Sequence, residues 1–206
     1  MNAAAANDLA RVRALIKQGA NINQRGAGGE TALYEAIERR NPSSDNLPVV
    51  AFLLKAGADP NGVGPYNMTP LQLSLTRTFL NPEVVRLLVE SGARVPTTCE
   101  PGNDSLLSYA TQDSNLDSMR LLIANHAAVN CQYQGHTALY WAALNGQADR
   151  VEVLLQGGAD PRITYDSGKT ILQIATTTNP EARVQAQFAA TRELLTNALN
   201  KQKAKP

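Results

Sequence analysis

A chain of 206 residues that is 43% hydrophobic is long enough to bury a sizeable core, and 19 Lys and Arg against 18 Asp and Glu leave a net charge of +1. That balance excludes the basic field with which proteins neutralise nucleic-acid phosphates, so no nucleic-acid partner is expected. The longest apolar run, Pro48 to Leu54, falls far short of the ~20 residues a spanning helix needs, so no membrane insertion is expected either.

The first residues, Met1 to Ala6, have neither the charged nor the apolar segment of a signal peptide. A cytoplasmic location is favoured, and a periplasmic or secreted one stays open if the N-terminus was trimmed. Residues 3 to 28 then read as the second half of a repeat that enters midway. Leu9, Val12, Leu15 and Ile16 form a helical buried stripe, Asp8, Arg11, Arg13 and Lys17 its exposed side, and Gly19-Ala20-Asn21-Ile22-Asn23 its exit. This half-repeat serves as an N-terminal cap.

The next unit, 29–66, starts a first helix at Thr31-Ala32-Leu33 and leaves at Gly57-Ala58-Asp59-Pro60-Asn61. An insertion at Arg40 to Pro48, with two prolines and small polar residues, predicts an extended loop between its paired helices. The unit 67–102 starts at Thr69-Pro70-Leu71, where Pro at the first helical position loses no hydrogen bond. It carries a shorter extension at Thr78 to Pro82 and exits at Gly92-Ala93-Arg94-Val95.

The unit 103–134 starts at Ser105-Leu106-Leu107, turns at Asp113-Ser114-Asn115, and ends with His126 where the other exits have Gly. A non-Gly residue at positive φ costs roughly 1 kcal/mol, so the helix either ends differently there or is strained. The unit 135–167 is the clearest copy. Thr137 caps a first helix whose Leu139, Ala142 and Ala143 share a face; Asn145-Gly146 stops it; Val151, Leu154 and Leu155 mark the second; and Gly158-Ala159-Asp160-Pro161 is the exit. The last unit, 168–200, starts at Thr170-Ile171-Leu172 and closes the stack with a helix from about Ala182 to Asn200. Residues 201–206, with Lys201, Lys203 and Lys205, read as a flexible basic tail.

Successive starts are 38, 36, 32 and 33 residues apart, which means a solenoid of repeated helix pairs. With the Thr-x-Leu starts and the Gly-Ala-Asp exits, the chain resembles the ankyrin-repeat family over about residues 3 to 199. The resemblance implies a single all-α domain over 1–200, a stand-alone ankyrin solenoid of paired antiparallel helices joined by β-hairpin-like loops. The family's His after the Leu is replaced by Tyr34, Gln72, Ser108, Tyr140 and Gln173.

The same resemblance implies no enzyme and no cofactor, but a protein partner of unidentified kind held by a chain that is monomeric when free. Family members bind through hairpin tips and the inner helix face. Here the tips are Tyr66, Asn67 and Met68; Gln132, Tyr133, Gln134 and His136; and Tyr165, Asp166, Ser167 and Lys169. The inner face is Glu35, Glu38, Leu73, Thr76, Tyr109, Gln112, Trp141, Leu144 and Ile174. Tyr66, Met68, Tyr109, Gln112, Tyr133, His136, Trp141, Leu144, Tyr165 and Lys169 are the candidate contact residues. Aromatic rings exposed together make binding hot spots, against which stands the packing of Trp141 between repeats.

Other chemistry is thinner. Gly168-Lys169-Thr170 copies the end of a phosphate-binding loop, but Ile163 stands where that loop needs Gly. Glu35 and Glu38, with Arg39 near, read as a solvated face rather than an acid/base pair. Cys99, His126, Cys131 and His136 cluster near two exits without the spacing of a zinc site. Metal binding through them is a secondary alternative, and the two cysteines read as ordinary thiols, with a disulfide as the other outcome in an oxidising compartment. The first functional alternative, ahead of metal binding, is an inhibitor or immunity-type protein that blocks a specific enzyme or toxin.

Overall fold

The computed structural model describes residues 1–38, 45–76, 81–99, 105–112, 116–165, 168–177 and 182–203. The chain gathers into two compact units, Met1–Val95 and Pro96–Pro206. In the first, α1 (Asn2–Ala5), α3 (Ala32–Glu38) and α5 (Pro70–Ser74) pack in a row of first helices, and α2 (Leu9–Lys17), α4 (Leu47–Lys55) and α6 (Pro82–Glu90) in a row of second helices. In the second, α7 (Leu106–Gln112), α9 (Ala138–Leu144) and α11 (Ile171–Thr177) form one row, and α8 (Leu116–Ala124), α10 (Ala148–Gln156) and α12 (Ala182–Lys203) the other. Strands β1 (Gln132–Tyr133) and β2 (His136–Thr137) make a short hairpin ahead of α9.

The five hydroxyl residues that set the sequence period occupy equivalent places. Oγ of Thr31, Thr69, Ser105, Thr137 and Thr170 accepts the amide three residues on, at 3.2, 3.2, 3.2, 3.3 and 3.4 Å. Each satisfies one of the amides that a first turn leaves unpaired. Gln72 and Gln173 complete the box by accepting the backbone N–H of Thr69 and Thr170, both at 2.8 Å. The Gln that replaces the family His in these two units therefore has a job at the helix start.

Leu33, Leu71, Leu107, Leu139 and Ile171 follow those caps and are all buried, as are Val50, Leu53, Val85 and Leu88 from the second helices of the first unit and Met119, Leu122 and Leu154 from those of the second. Because each helix pair has one apolar face, neighbouring pairs must cover it, and the core is a strip within each unit.

A second device joins neighbouring exits. Asn23 Nδ2 donates to the Gly57 carbonyl at 3.1 Å while its Oδ1 accepts the Asp59 amide at 2.8 Å. Asn61 does the same to Gly92 and Arg94, and Asn130 to Gly158 and Asp160. Pro96 stands at the corresponding place of the third exit, and its carbonyl accepts the Ala128 amide at 2.9 Å instead.

Several expectations change. Residues 2–5 form a short helix, α1, which packs on α3, where Ala3 and Ala4 are small enough to fit closely. The stripe of α2 is narrower than expected. Val12 is buried, but Leu15 is 39% exposed; among the described residues α2 packs on the second helix α4. The basic tail is helical through Lys203, where Lys and Gln continue α12 without a breaker. His126 does take the positive φ of its Gly counterparts, at 62°. The expected loop insertion at 40–48 falls largely outside the described residues, as do most of the 78–82 extension, the 113–115 turn, and Asp166 and Ser167.

Candidate partner-binding edge

In the second unit the hairpin positions the aromatic residues. Gln134 at φ 52° and Gly135 at φ 80° make the two-residue turn with both central residues at positive φ that suits the twist of a hairpin. Tyr133 pairs with His136 and Gln132 with Thr137 across it. Opposed residues of an antiparallel pair share a face, so Tyr133 and His136 lie together while the pair behind them carries Thr137, which is buried.

Tyr133 lies over Tyr109 of α7, ring centroids 5.3 Å apart. His136 stacks 3.9 Å from Tyr140 and meets the edge of Trp141 at 5.4 Å. Its Nδ1 lies 2.9 Å from the Gln134 carbonyl, which only accepts, so this nitrogen carries the proton in that contact. Tyr109, Tyr133, His136 and Trp141 are each half-buried, which leaves part of every ring at the surface. Behind them Tyr140 and Tyr165 are buried with centroids 4.9 Å apart.

Tyr165 is therefore a correction. An exposed tip ring was expected; the residue is 5% exposed, and its hydroxyl lies 2.7 Å from Thr137 Oγ1. The ring lies toward the preceding hairpin, against Tyr140 and the Thr137 hydroxyl, and a backbone bridge joins Tyr165 to Lys169. Burial raises its pKa, an effect the Thr137 hydrogen bond partly opposes. Leu73 and Ile174, expected on the inner face, are buried too. Lys169 is exposed and Leu144 half-buried, and the Gln112 side chain lies outside what is described.

Tyr66 and Met68 belong to the first unit. Tyr66 is 89% exposed and sits at φ 58°, followed by Asn67 at 59°. This turn is held from below: the Gly64 amide donates to the Met68 carbonyl at 2.8 Å, and Tyr34 OH donates to the Pro65 carbonyl at 3.2 Å. A Cβ at Gly64 would come within 2.3 Å of the Tyr34 ring, so only Gly lets the chain cross there. Burial, then the charges of Glu38 and Glu35 with Tyr66 between them in weight, pushes the Tyr34 phenol up to about 12.

Cys99 and Cys131 form a disulfide, with Cα atoms 5.1 Å apart. Free thiols were the expectation. The folded chain instead brings the two residues within bonding reach although 32 positions separate them, and bonded sulfurs are not thiolate ligands for a metal. No group of three or more His, Cys, Asp or Glu suited to a metal occurs among the described residues. Sequence reasoning also missed Tyr140 as the centre of the ring cluster. Its signal was the closeness in sequence of His136, Tyr140 and Trp141, the first just ahead of the cap Thr137 and the other two in the first turn of α9.

The family model for ankyrin repeats, three copies long, matches residues 1–99, 81–165 and 107–186. The chain belongs to the ankyrin-repeat family. Its fold is the all-α ankyrin-repeat solenoid, and ankyrin repeats are protein-interaction modules, generally non-catalytic. An ankyrin repeat domain from Acinetobacter baumannii is 27% identical with a TM-score of 0.77, each chain covered to 95%. A chain in the complex of a predatory endopeptidase from Bdellovibrio bacteriovorus with an immunity protein is 25% identical with a TM-score of 0.73, again with 95% of each covered.

Among curated proteins, the mouse B-cell lymphoma 3 protein homolog is 30% identical over 80% of this chain and 36% of its own length. The bovine mitochondrial disaggregase is 30% identical over 85% of this chain and 20% of its own. The ankyrin-repeat chain thus spans about a third or less of these relatives. No helix among the described residues is long and apolar enough to cross a membrane.

Proposed function

We propose that this ankyrin-repeat protein binds a protein partner on the edge formed by Tyr109, Tyr133, His136 and Trp141, flanked by Leu144 and Lys169. The observation that carries this reading is the ring contact of Tyr133 with Tyr109 and the edge-on contact of His136 with Trp141, which present half-buried rings side by side. Such rings offer large amphipathic area with few rotatable bonds, and the groups beneath them are already fixed, so little ordering entropy is lost on binding. Tyr66, with Met68 beside it, supplies a separate exposed tip in the first unit.

Affinity capture with the native chain beside a Tyr133→Ala, Trp141→Ala double variant tests the placement. A partner retained by the native chain is lost from the variant, whose circular dichroism matches the native. Equal retention by both contradicts it.

A second reading, that binding blocks a peptidase, draws support from the likeness to a chain in the endopeptidase–immunity protein complex. It predicts that the captured partner is a hydrolase whose activity falls on mixing at equimolar ratio. An uninhibited partner leaves the module as a scaffold.

A further inference from the structure

We propose that the Cys99–Cys131 disulfide is a redox catch on the aromatic edge, and that its reduction by a dithiol releases the 132–137 hairpin from Tyr109 and Trp141. This rests on the reading of that edge as the partner surface, and it adds how the surface is regulated.

The two ends of the bond differ in access. Cys99 is exposed, whereas Cys131 is buried and directly precedes the first hairpin residue. The hairpin has little of its own to hold it. It consists of two residue pairs, and a two-stranded hairpin is marginal by itself in water. Gln134 also occupies a left-handed conformation that residues other than Gly adopt at a cost. Its anchors are therefore outside the ladder: the disulfide at its start and the hydrogen bond of Thr137 to Tyr165 at its end. Opening the disulfide leaves β1 held by β2 and by the contact of Tyr133 with Tyr109.

The chemistry is thiol–disulfide exchange. A thiolate of the reductant attacks Sγ of Cys99, the S–S bond breaks, and Cys131 departs as a thiolate that takes up a proton. The reductant's second thiolate then attacks the mixed disulfide and frees Cys99, which is protonated in turn. The protein gains two electrons and two protons, and the dithiol becomes a disulfide.

Hydrogen exchange read by mass spectrometry on the full chain, with and without dithiothreitol, tests this alongside a thiol count. Two thiols are expected to appear on reduction. Exchange across 132–137 then rises by about tenfold or more and outpaces that of α10, while the far-ultraviolet dichroism stays unchanged. A Cys99→Ser variant exchanges fast with or without the reductant. Unchanged hairpin exchange after both thiols appear would overturn the proposal. So would hairpin amides that exchange no faster than those of α10 in the reduced chain, which makes the bond a clip for the whole unit, or thiols that stay free in an oxidising glutathione buffer.

None of these readouts involves a partner, so they stand apart from the capture experiment. With a captured partner in hand, the reduced chain is expected to hold it at least about tenfold more weakly, the expected cost of leaving its contact rings unordered. Equal affinity in both redox states would sink the gating and leave the edge itself intact.

Discussion

The hydroxyl of Tyr165 lies 2.7 Å from Oγ1 of Thr137, in a buried spot where two successive loops meet. Thr137 also caps α9 by accepting the Tyr140 amide, so one oxygen serves both its own helix and the next repeat. Tyr165→Phe removes only the hydroxyl and is expected to cost about 1 kcal/mol, whereas Thr137→Val removes cap and bridge together and costs about 2 kcal/mol. The double variant falls short of the sum, because both changes delete the same bond. Urea unfolding of the four proteins checks this; strict additivity would mean the two oxygens are not coupled.

The disulfide closes a loop of 32 residues, and cross-linking a chain over that length restricts its unfolded state by about 3–4 kcal/mol. Unfolding of the native chain in urea is expected to shift to lower concentration by that amount when reductant is added. Cys131→Ser should unfold at the same point with and without it. A native midpoint that ignores reductant contradicts the account.

His126 holds φ 62° at a helix exit, where Gly19, Gly57, Gly92 and Gly158 hold 89–95°. Its side chain is exposed. His126→Gly is expected to raise stability by about 0.5–1 kcal/mol, since relief of the left-handed strain outweighs the extra freedom Gly gives the unfolded chain. Thermal unfolding measures it, and a lowered midpoint would show that the imidazole makes a contact worth more than the strain.

This strain was visible beforehand, because four exits with Gly make the fifth conspicuous. The solenoid was legible for the same reason: Thr31, Thr69, Ser105, Thr137 and Thr170 recur every 32 to 38 residues, and capping is local chemistry that a sequence records. The ladder of Asn23, Asn61 and Asn130 was equally periodic, but each side chain bonds across to another repeat, which a pattern read along one chain does not display. Tyr165 was misplaced because tip position alone does not decide which way a ring turns; the Thr137 hydroxyl and the Tyr140 ring it packs on belong to the preceding repeat. The disulfide was left open for a kindred reason, since 32 residues of separation say nothing about distance until the repeat stacking is fixed.

Tyr34 gives a pH signature. Its phenol is buried and its pKa is pushed up to about 12 from 10.0, so the native state keeps a proton that the unfolded chain sheds from pH 10 upward. The stability this proton confers is complete below pH 10 and is lost as pH rises toward 12, with a slope of about 1.4 kcal/mol per pH unit from this one group. Tyr34→Phe, which also forfeits the bond to the Pro65 carbonyl, is expected to start lower and fall less steeply over that range. Denaturant midpoints from pH 8 to 12 report it, and parallel curves for the two proteins would contradict the assignment.

The central claim is that the rings of the 132–137 hairpin and α9 meet another protein while the second-helix side does not. A photo-crosslinking residue placed in turn at Tyr133, at Trp141 and at Arg120, which is exposed on α8, tests it in the presence of a captured partner. Cross-links from 133 and 141 with none from 120 are the predicted result. Cross-links from 120 with silence at 133 and 141 would put the partner on the other side of the repeats and contradict the account.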